Sequence, residues 1–512
     1  MTREKYNAPP GCGKTSALMA KFFSLINSEG YRADDITCTT FRKSAANDLR
    51  MKVNGFGVEE STKEHIGTTH AICYGLLGRP PIIDAGDINH FAKECGYEPY
   101  MRTNVFADDE ETVYSGKLLD LYTWLMNTQM PVEKWYLYPG ADNILLPESK
   151  VSDFIIDYER FKQKRGKIDF PDMPEMVLKM QIPLDTTACL MDEFQDQTRQ
   201  LCDVSTMWAK ECESVTIAGD PLQSIYGFWG GSPDHFHQWE AKELIQDKSY
   251  RLLEPVWNLA VEILKNERQY PPEVTAREAT NNPIRFVEWN QTLPEHPGSE
   301  LHLVRCNYQT DAIAMQLATR GHVFGGLRGW DDAEISLANA IIRARTGAPL
   351  MPGDMRAMVD NFPYKFFKFN GRKADFIEFI KLHYRPTLSE MNPHIKEELY
   401  NLLKSDMPAA YINCGKLMQA KINGILQRKR PILSDELQNR QVLTIHGAKG
   451  LEADTVYLHT GITPKIHRSL VLPGEDSQAE ARVWYVGVTR TKQRLYLVKD
   501  VGYNYPLPGV AA

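Results

Sequence analysis

The 512-residue chain has little of several things, and each scarcity removes a class of protein. Its nine cysteines, at 12, 38, 73, 95, 189, 202, 212, 306 and 414, include no C-x-x-C pair. That argues against a zinc ribbon, an iron–sulfur cluster or a disulfide framework, and makes reduced thiols the default. No run approaches the about 18 consecutive apolar residues that span a bilayer, so no membrane partner is expected. The N-terminus lacks the apolar core of a secretory signal, which predicts a protein of the cytosol, a host cell's included. Positive charge is scarce as well: 59 Lys and Arg against 66 Asp and Glu leave a net charge of −7. A polyanion would need a local basic groove, because the summed charge does not attract it. Internal repeats, low-complexity tracts and an acidic nuclease cluster are also missing.

What remains is an ordinary globular composition, 43% hydrophobic and 24% charged, at a length that suggests about three or four domains. Buried-strand signals stand at "DITCTTF" (Asp35 to Phe41), "TTACLMDE" (Thr187 to Glu193), "SVTIAGD" (Ser214 to Asp220), "ELHLVRC", "QVLTIHG", "ADTVYLHTG" and "RLYLVKD". Several end in acidic residues, as parallel strands with functional groups at their C-terminal ends do. Between Gly78 and Lys167, and again from about Ser336 to Leu437, the rhythm turns mainly helical. The fold class is therefore α/β: two cores with parallel sheets, each interrupted by a mainly helical insertion. The boundaries expected are 1–77 and 171–248 for the first core around an insertion at 78–170. The second core takes 249–335 and 438–512 around a shorter insertion at 336–437. Within the latter, "YKFFKFNGRK" (Tyr364 to Lys373) alternates bases and aromatics, which fits a DNA-contacting hairpin and a plain amphipathic one equally well.

Four stretches carry chemistry. "NAPPGCGKTSALM" (Asn7 to Met19) turns helical after Gly-Lys-Thr, so that backbone N–H groups, a helix dipole and a lysine face phosphate. Its pattern lacks the first glycine, which is Ala8; alanine serves there if φ stays negative. In "CLMDEFQD", Asp192 can hold Mg²⁺ at a strand end, and Glu193 can accept a proton from water. "AGDPLQSIYGFWGG" places Gln223 ahead of Tyr226, Phe228 and Trp229, aromatics that stack on unpaired bases or pack in a core. Arg251 in "KSYRLLEP" and Arg490 in "YVGVTRTKQRLYL" stand where fingers could reach a neighbouring domain's γ-phosphate.

The order of these elements closely resembles that of the UvrD/Rep-like helicases of superfamily 1, class A, from Asn7 to about Val498, with weak similarity across both insertions. "APPGCGKT" is similar to the family's motif I, "TTFRKSAANDL" to Ia and "IGTTHAICYGLL" to Ib. "DEFQD" resembles motif II, "GDPLQSIYGFWGG" III, "SYR" IV, "TIHGAKGLE" V and "ARVWYVGVTRTK" VI. The resemblance implies two RecA-like cores with ATP between them. Pro10, Gly11, Cys12, Gly13, Lys14, Thr15 and Ser16 would cradle the phosphates, with Lys14 on the β- and γ-phosphates. Thr15 and Asp192 would hold Mg²⁺, Glu193 would activate water, and Gln223 would sense the γ-phosphate. Arg251 and Arg490 would act as fingers, Tyr250 would stack on adenine and Glu452 would contact the ribose. Single-stranded DNA would cross Phe41, Arg42, Thr69, His70, Tyr226, Phe228, Trp229, Thr444 and His446.

Seven residues ahead of the loop cannot hold the family's adenine-reading glutamine segment, so loose base selection is expected. "MTREKY" also lacks the apolar strand that usually precedes the loop, so either the start is truncated or another segment completes the sheet. The family's Trp-Arg pair in motif III is Phe228-Trp229 here. The implied activity is an ATP-dependent 3′→5′ DNA helicase or translocase, monomeric, acting on single strands and their junctions with duplex beside replication or repair proteins. Two alternatives stay open: a single-strand-dependent ATPase that remodels or loads partners without unwinding, and a DNA-binding component with a decayed site.

Overall fold

The computed structural model describes residues 2–54, 64–97, 114–144, 146–289, 291–368, 385–391, 395–412, 414–471 and 474–508. Among the described residues the fourteen strands are β1 Thr2–Asn7, β2 Ile36–Thr40, β3 Ile66–Thr68, β4 Ala188–Met191, β5 Ser214–Gly219, β6 Lys242–Ile245, β7 Lys248–Leu253, β8 Thr275–Arg277, β9 Ile284–Glu288, β10 Glu300–Val304, β11 Gly325–Gly326, β12 Arg440–Thr444, β13 Ala453–His459 and β14 Thr491–Lys499. The first six form one sheet in the order β3-β2-β4-β5-β1-β6, and a second sheet runs β11-β12-β10-β13-β14-β9. Every pairing within both sheets is parallel. β7 and β8 pair separately. These are two RecA-like α/β cores.

A strand does precede the glycine-bearing loop, contrary to the impression its polar sequence gives. β1 lies between β5 and β6 and bonds to both. Its side chains are accommodated by local partners rather than by apolarity. Lys5 is buried with its ammonium 3.4 Å from Glu243 and over the Phe236 ring, and Glu4 pairs with Lys21 at 3.6 Å. By contrast β2, β4, β5 and β10 are buried throughout, as their apolar runs predict.

The two insertions are built differently. The first has an apolar core of its own, centred on Phe91, Leu121, Val151 and Phe154. Its basic, aromatic helix Glu148–Arg165 turns Tyr158, Phe161 and Lys162 inward. The Lys162 ammonium is buried against Asp172, at 2.7 Å, and the Tyr122 hydroxyl, at 2.7 Å, which ties the insertion to the helix Asp172–Met180. The second insertion shares its core with the second sheet: Met355, Leu388 and Ile422 pack in one cluster with Val304 of β10 and Val442 of β12. Of the stretch Tyr364 to Lys373, Phe366 and Phe367 are buried in that cluster, and residues 369–373 lie outside the described residues. Among the described residues no helix is long and apolar enough to cross a membrane.

Candidate nucleotide and nucleic-acid site

The loop after β1 turns on two left-handed glycines, Gly11 (φ 75°) and Gly13 (φ 77°), and Gly13 caps the helix Lys14–Glu29. Ala8 is not among the residues with positive φ, which is why an alanine serves in the position where the pattern has glycine. Gly11 is required twice over. Besides its φ, a Cβ there would lie 2.5 Å from the Arg251 Cβ and 2.7 Å from the Ser249 Oγ. The segment that joins the two sheets is stitched along this loop. The Gln246 N–H donates to the Asn7 carbonyl (2.9 Å), the Ser249 hydroxyl to the Pro10 carbonyl (3.0 Å), and the Tyr250 N–H to the Gly11 carbonyl (2.9 Å).

At the ends of β4 and β5 stand the acidic groups. Lys14 Nζ lies 2.6 Å from Glu193 Oε1, and the Thr15 hydroxyl donates to Asp192 Oδ2 at 3.1 Å. Glu193 itself is left-handed, with φ 54°. Burial disfavours its charge, but Lys14 and Lys449 outweigh burial and hold its carboxyl down at about 2. Burial pushes Asp192 up against the pull of Lys14. For Lys14 burial works downward, and Glu193 and Asp192 reverse it.

The second sheet supplies groups to the same cleft. Arg490 is buried, and its Nη2 donates to Gln223 Oε1 at 3.0 Å while Nε donates to the Val486 carbonyl at 2.9 Å. Burial and the neighbouring Arg251 lower its pKa to about 9. Gln223 Nε2 in turn donates to Asp220 Oδ2 at 2.8 Å. Arg251 is engaged with Glu452 (2.5 Å), which also meets Lys492 (3.0 Å). Tyr250 is 68% exposed beside Gly13, with the Lys248 ammonium 5.5 Å from its ring centroid.

The aromatic residues converge across the cleft. Phe41 stacks on Tyr226 (centroids 5.3 Å, 24° between planes), and Phe228 meets the rings of Tyr226 and His446 edge-on at 6.1 and 5.7 Å. Tyr226 is only 3% exposed, donates its hydroxyl to the His446 carbonyl (3.2 Å) and has Lys449 over its ring. Arg42 donates to the Lys449 carbonyl. Thr444 is buried and accepts from the Gly447 N–H at 3.0 Å. Thr69 and His70 make their contacts elsewhere: Thr69 accepts from Gln197 (3.4 Å), and His70 sits edge-on to Phe170, its pKa lowered by burial to about 4. The Trp229 carbonyl accepts from Asn127 (3.0 Å) on the first insertion's helix Tyr114–Thr128.

Several groups in the cleft were not singled out from sequence. Lys449 Nζ crosses to Asp196, 2.6 Å from each carboxylate oxygen, and also donates to the Gln223 carbonyl. Burial raises Asp196 to about 6 and lowers Lys449. The Tyr485 hydroxyl donates to Asp220 (3.3 Å), and Arg482 Nε to the Ser224 carbonyl (3.0 Å). Lys449 lies inside "GAKG" and Asp196 ends "DEFQD", so both stood in quoted stretches; their pairing did not.

Residues 6–243 match the model of the UvrD/REP helicase N-terminal domain, and residues 378–501 that of the UvrD-like helicase C-terminal domain. Among curated proteins, the ATP-dependent DNA helicase srs2 of Schizosaccharomyces pombe is 26% identical over 298 residues, 52% of this chain and 33% of that protein. The ATP-dependent DNA helicase Rep of Buchnera aphidicola is 25% identical over 250 residues, 44% of this chain and 37% of that protein. The chain thus spans about a third of the length of these two relatives. The ATP-dependent DNA helicase UvrD2 of Mycobacterium tuberculosis is 22% identical over 551 aligned positions, covering 96% of this chain and 75% of that protein.

Proposed function

The chain belongs to the UvrD/Rep family of helicases, and from that premise we propose that it is an ATP-dependent DNA helicase or translocase moving 3′→5′ along single-stranded DNA. The observation that carries this reading is a single cleft furnished from both cores. Lys14 faces Glu193 at 2.6 Å on one side, and Arg490 reaches Gln223 at 3.0 Å from the other.

The loop's N–H groups and the helix dipole hold the triphosphate, and Lys14 adds charge at its β- and γ-phosphates. Thr15 Oγ1 and Asp192 Oδ2, 3.1 Å apart, are hard oxygen donors suited to Mg²⁺, which takes one or two protein ligands and completes its shell with water and phosphate. Bound there, that ion neutralises charge on the phosphate oxygens. Lys14 cannot serve Glu193 and the phosphates equally. Its move to the phosphates removes much of the pull that holds Glu193 at about 2, so the carboxylate gains basicity when a water is to be activated. Gln223 faces the γ-phosphate, and Arg490 and Arg251 bring positive charge to it from the second core. Tyr250 stacks on the base, and Glu452 takes the ribose. Closure and reopening of the cores ratchets the strand past Phe41 and Phe228, whose partly exposed rings offer stacking faces beside the buried His446.

ATP hydrolysis measured with and without single-stranded DNA, together with unwinding of forks that carry one overhang, tests the proposal. Hydrolysis should rise with DNA, and unwinding should need a 3′ overhang. Unwinding from 5′ overhangs alone would overturn the polarity, and DNA-stimulated hydrolysis without unwinding would favour a motor that remodels or loads partners.

A further inference from the structure

Gln195 lies between the proposed base and the end of β5, fully buried, and hydrolysis as described makes no use of it. Its Oε1 accepts from the Asp220 backbone N–H at 3.0 Å. A backbone N–H can only donate, so the carboxamide oxygen must face Asp220 and the NH₂ must face the other way. There Nε2 donates to Glu193 Oε2 at 2.5 Å and lies 3.4 Å from Asp196 Oδ2. The backbone leaves room for this arrangement: a Cβ on Gly219 would stand 2.6 Å from Gln195 Oε1. Lys14 holds the other Glu193 oxygen. Once Lys14 turns to phosphate, Gln195 is the side-chain donor that keeps the carboxylate from rotating.

The same carboxamide reaches toward the second core. Asp220 binds Gln223 and Tyr485, and Gln223 binds Arg490. A series of contacts therefore runs from the base to the finger, by hydrogen bonds on either side of Asp220 and through that residue's own backbone and carboxylate.

We propose that Gln195 is a positioning residue for hydrolysis: its NH₂ fixes Glu193 Oε2 so that Oε1 faces the attacking water, and its oxygen registers the base against the segment that bears Gln223. This rests on the ATPase reading above. Misplacing a reacting group by about 1 Å costs on the order of 10²-fold in rate, while binding that the group does not share is spared.

The test compares the full chain with Gln195→Met, which fills a similar volume without a donor, and Gln195→Leu, which removes donor and acceptor with a branched apolar side chain. Each is assayed for kcat and KM of DNA-stimulated ATP hydrolysis, for binding of a fluorescent ATP analogue and for melting temperature. Both variants should lose kcat by about 10²-fold, with KM and analogue affinity within about twofold of the parent. Parental kcat in either variant would overturn the inference, because filling space would then suffice. A loss of analogue affinity in step with kcat in the variant that melts like the parent would also overturn it. If the unmodified chain itself shows no DNA-stimulated hydrolysis, the functional reading fails instead, and that outcome is seen before any variant is compared.

Discussion

Glu193 combines two features that residues rarely carry without a reason: a left-handed backbone, which costs on the order of 1–3 kcal/mol for a residue other than glycine, and a buried charge met by a lysine. In that conformation its two carboxylate oxygens meet Lys14 on one side and Gln195 on the other. Substituting Glu193→Gln should keep nucleotide binding, since Thr15 and Asp192 are untouched, and should remove hydrolysis by about 10²–10⁴-fold. Lys14→Ala should lose binding and hydrolysis together. An equilibrium titration with a fluorescent ATP analogue beside a steady-state assay separates the two, and a Glu193→Gln chain that hydrolyses ATP normally would remove the base from the mechanism. Arg490→Ala should lower kcat by roughly 10³-fold if the guanidinium moves from Gln223 onto the γ-phosphate.

The loop from Ser224 to Gly231 separates two kinds of aromatic. Tyr226 has one face on Phe41 and Lys449 over its ring, so its removal is a packing change; Phe228 is partly exposed beside His446. Phe228→Ala should therefore weaken single-strand binding by roughly 1–3 kcal/mol with little effect on melting. Tyr226→Ala should cost stability as well, on the order of 3–5 kcal/mol. Fluorescence anisotropy with labelled oligonucleotide and a thermal melt would show it, and equal effects of both changes on both readouts would refute the distinction. The contrast also marks where the sequence is legible. "GCGKT", "CLMDEFQD" and the apolar strands can be read because their physics is local: glycine φ, a helix start, a buried run with an acidic end. β1 escapes that reading because its polar side chains are satisfied by Glu243 and Lys21, partners distant in the chain or on another element. Lys449 and Asp196 escape it for the same reason, being 253 residues apart.

In the whole molecule, Lys449–Asp196, Arg490–Gln223, Tyr485–Asp220 and Arg482–Ser224 draw the two cores together. Lys449→Met leaves Asp196 buried without its cation, a condition that costs about 3–5 kcal/mol and that parting of the cores relieves by admitting water. Nucleotide-free Lys449→Met should therefore populate a more open arrangement, seen as a larger radius of gyration in solution scattering or lower energy transfer between dyes on the cores. An unchanged distance would mean that the remaining contacts suffice for closure. The insertions should follow such a motion unequally. The first, with a separate apolar core, can shift as a body, whereas the second shares side chains with β10 and β12 and must travel with its sheet. The stitching of the inter-core segment to the loop at Asn7, Pro10 and Gly11 bears on how far any of this moves. In the proposed closure it would set the fulcrum at the loop that is to face the phosphates. Each core would then be a lever arm, and a rotation about the fulcrum too small to break a hydrogen bond would grow in proportion to distance until, at the far rim of the cleft, it became a stroke.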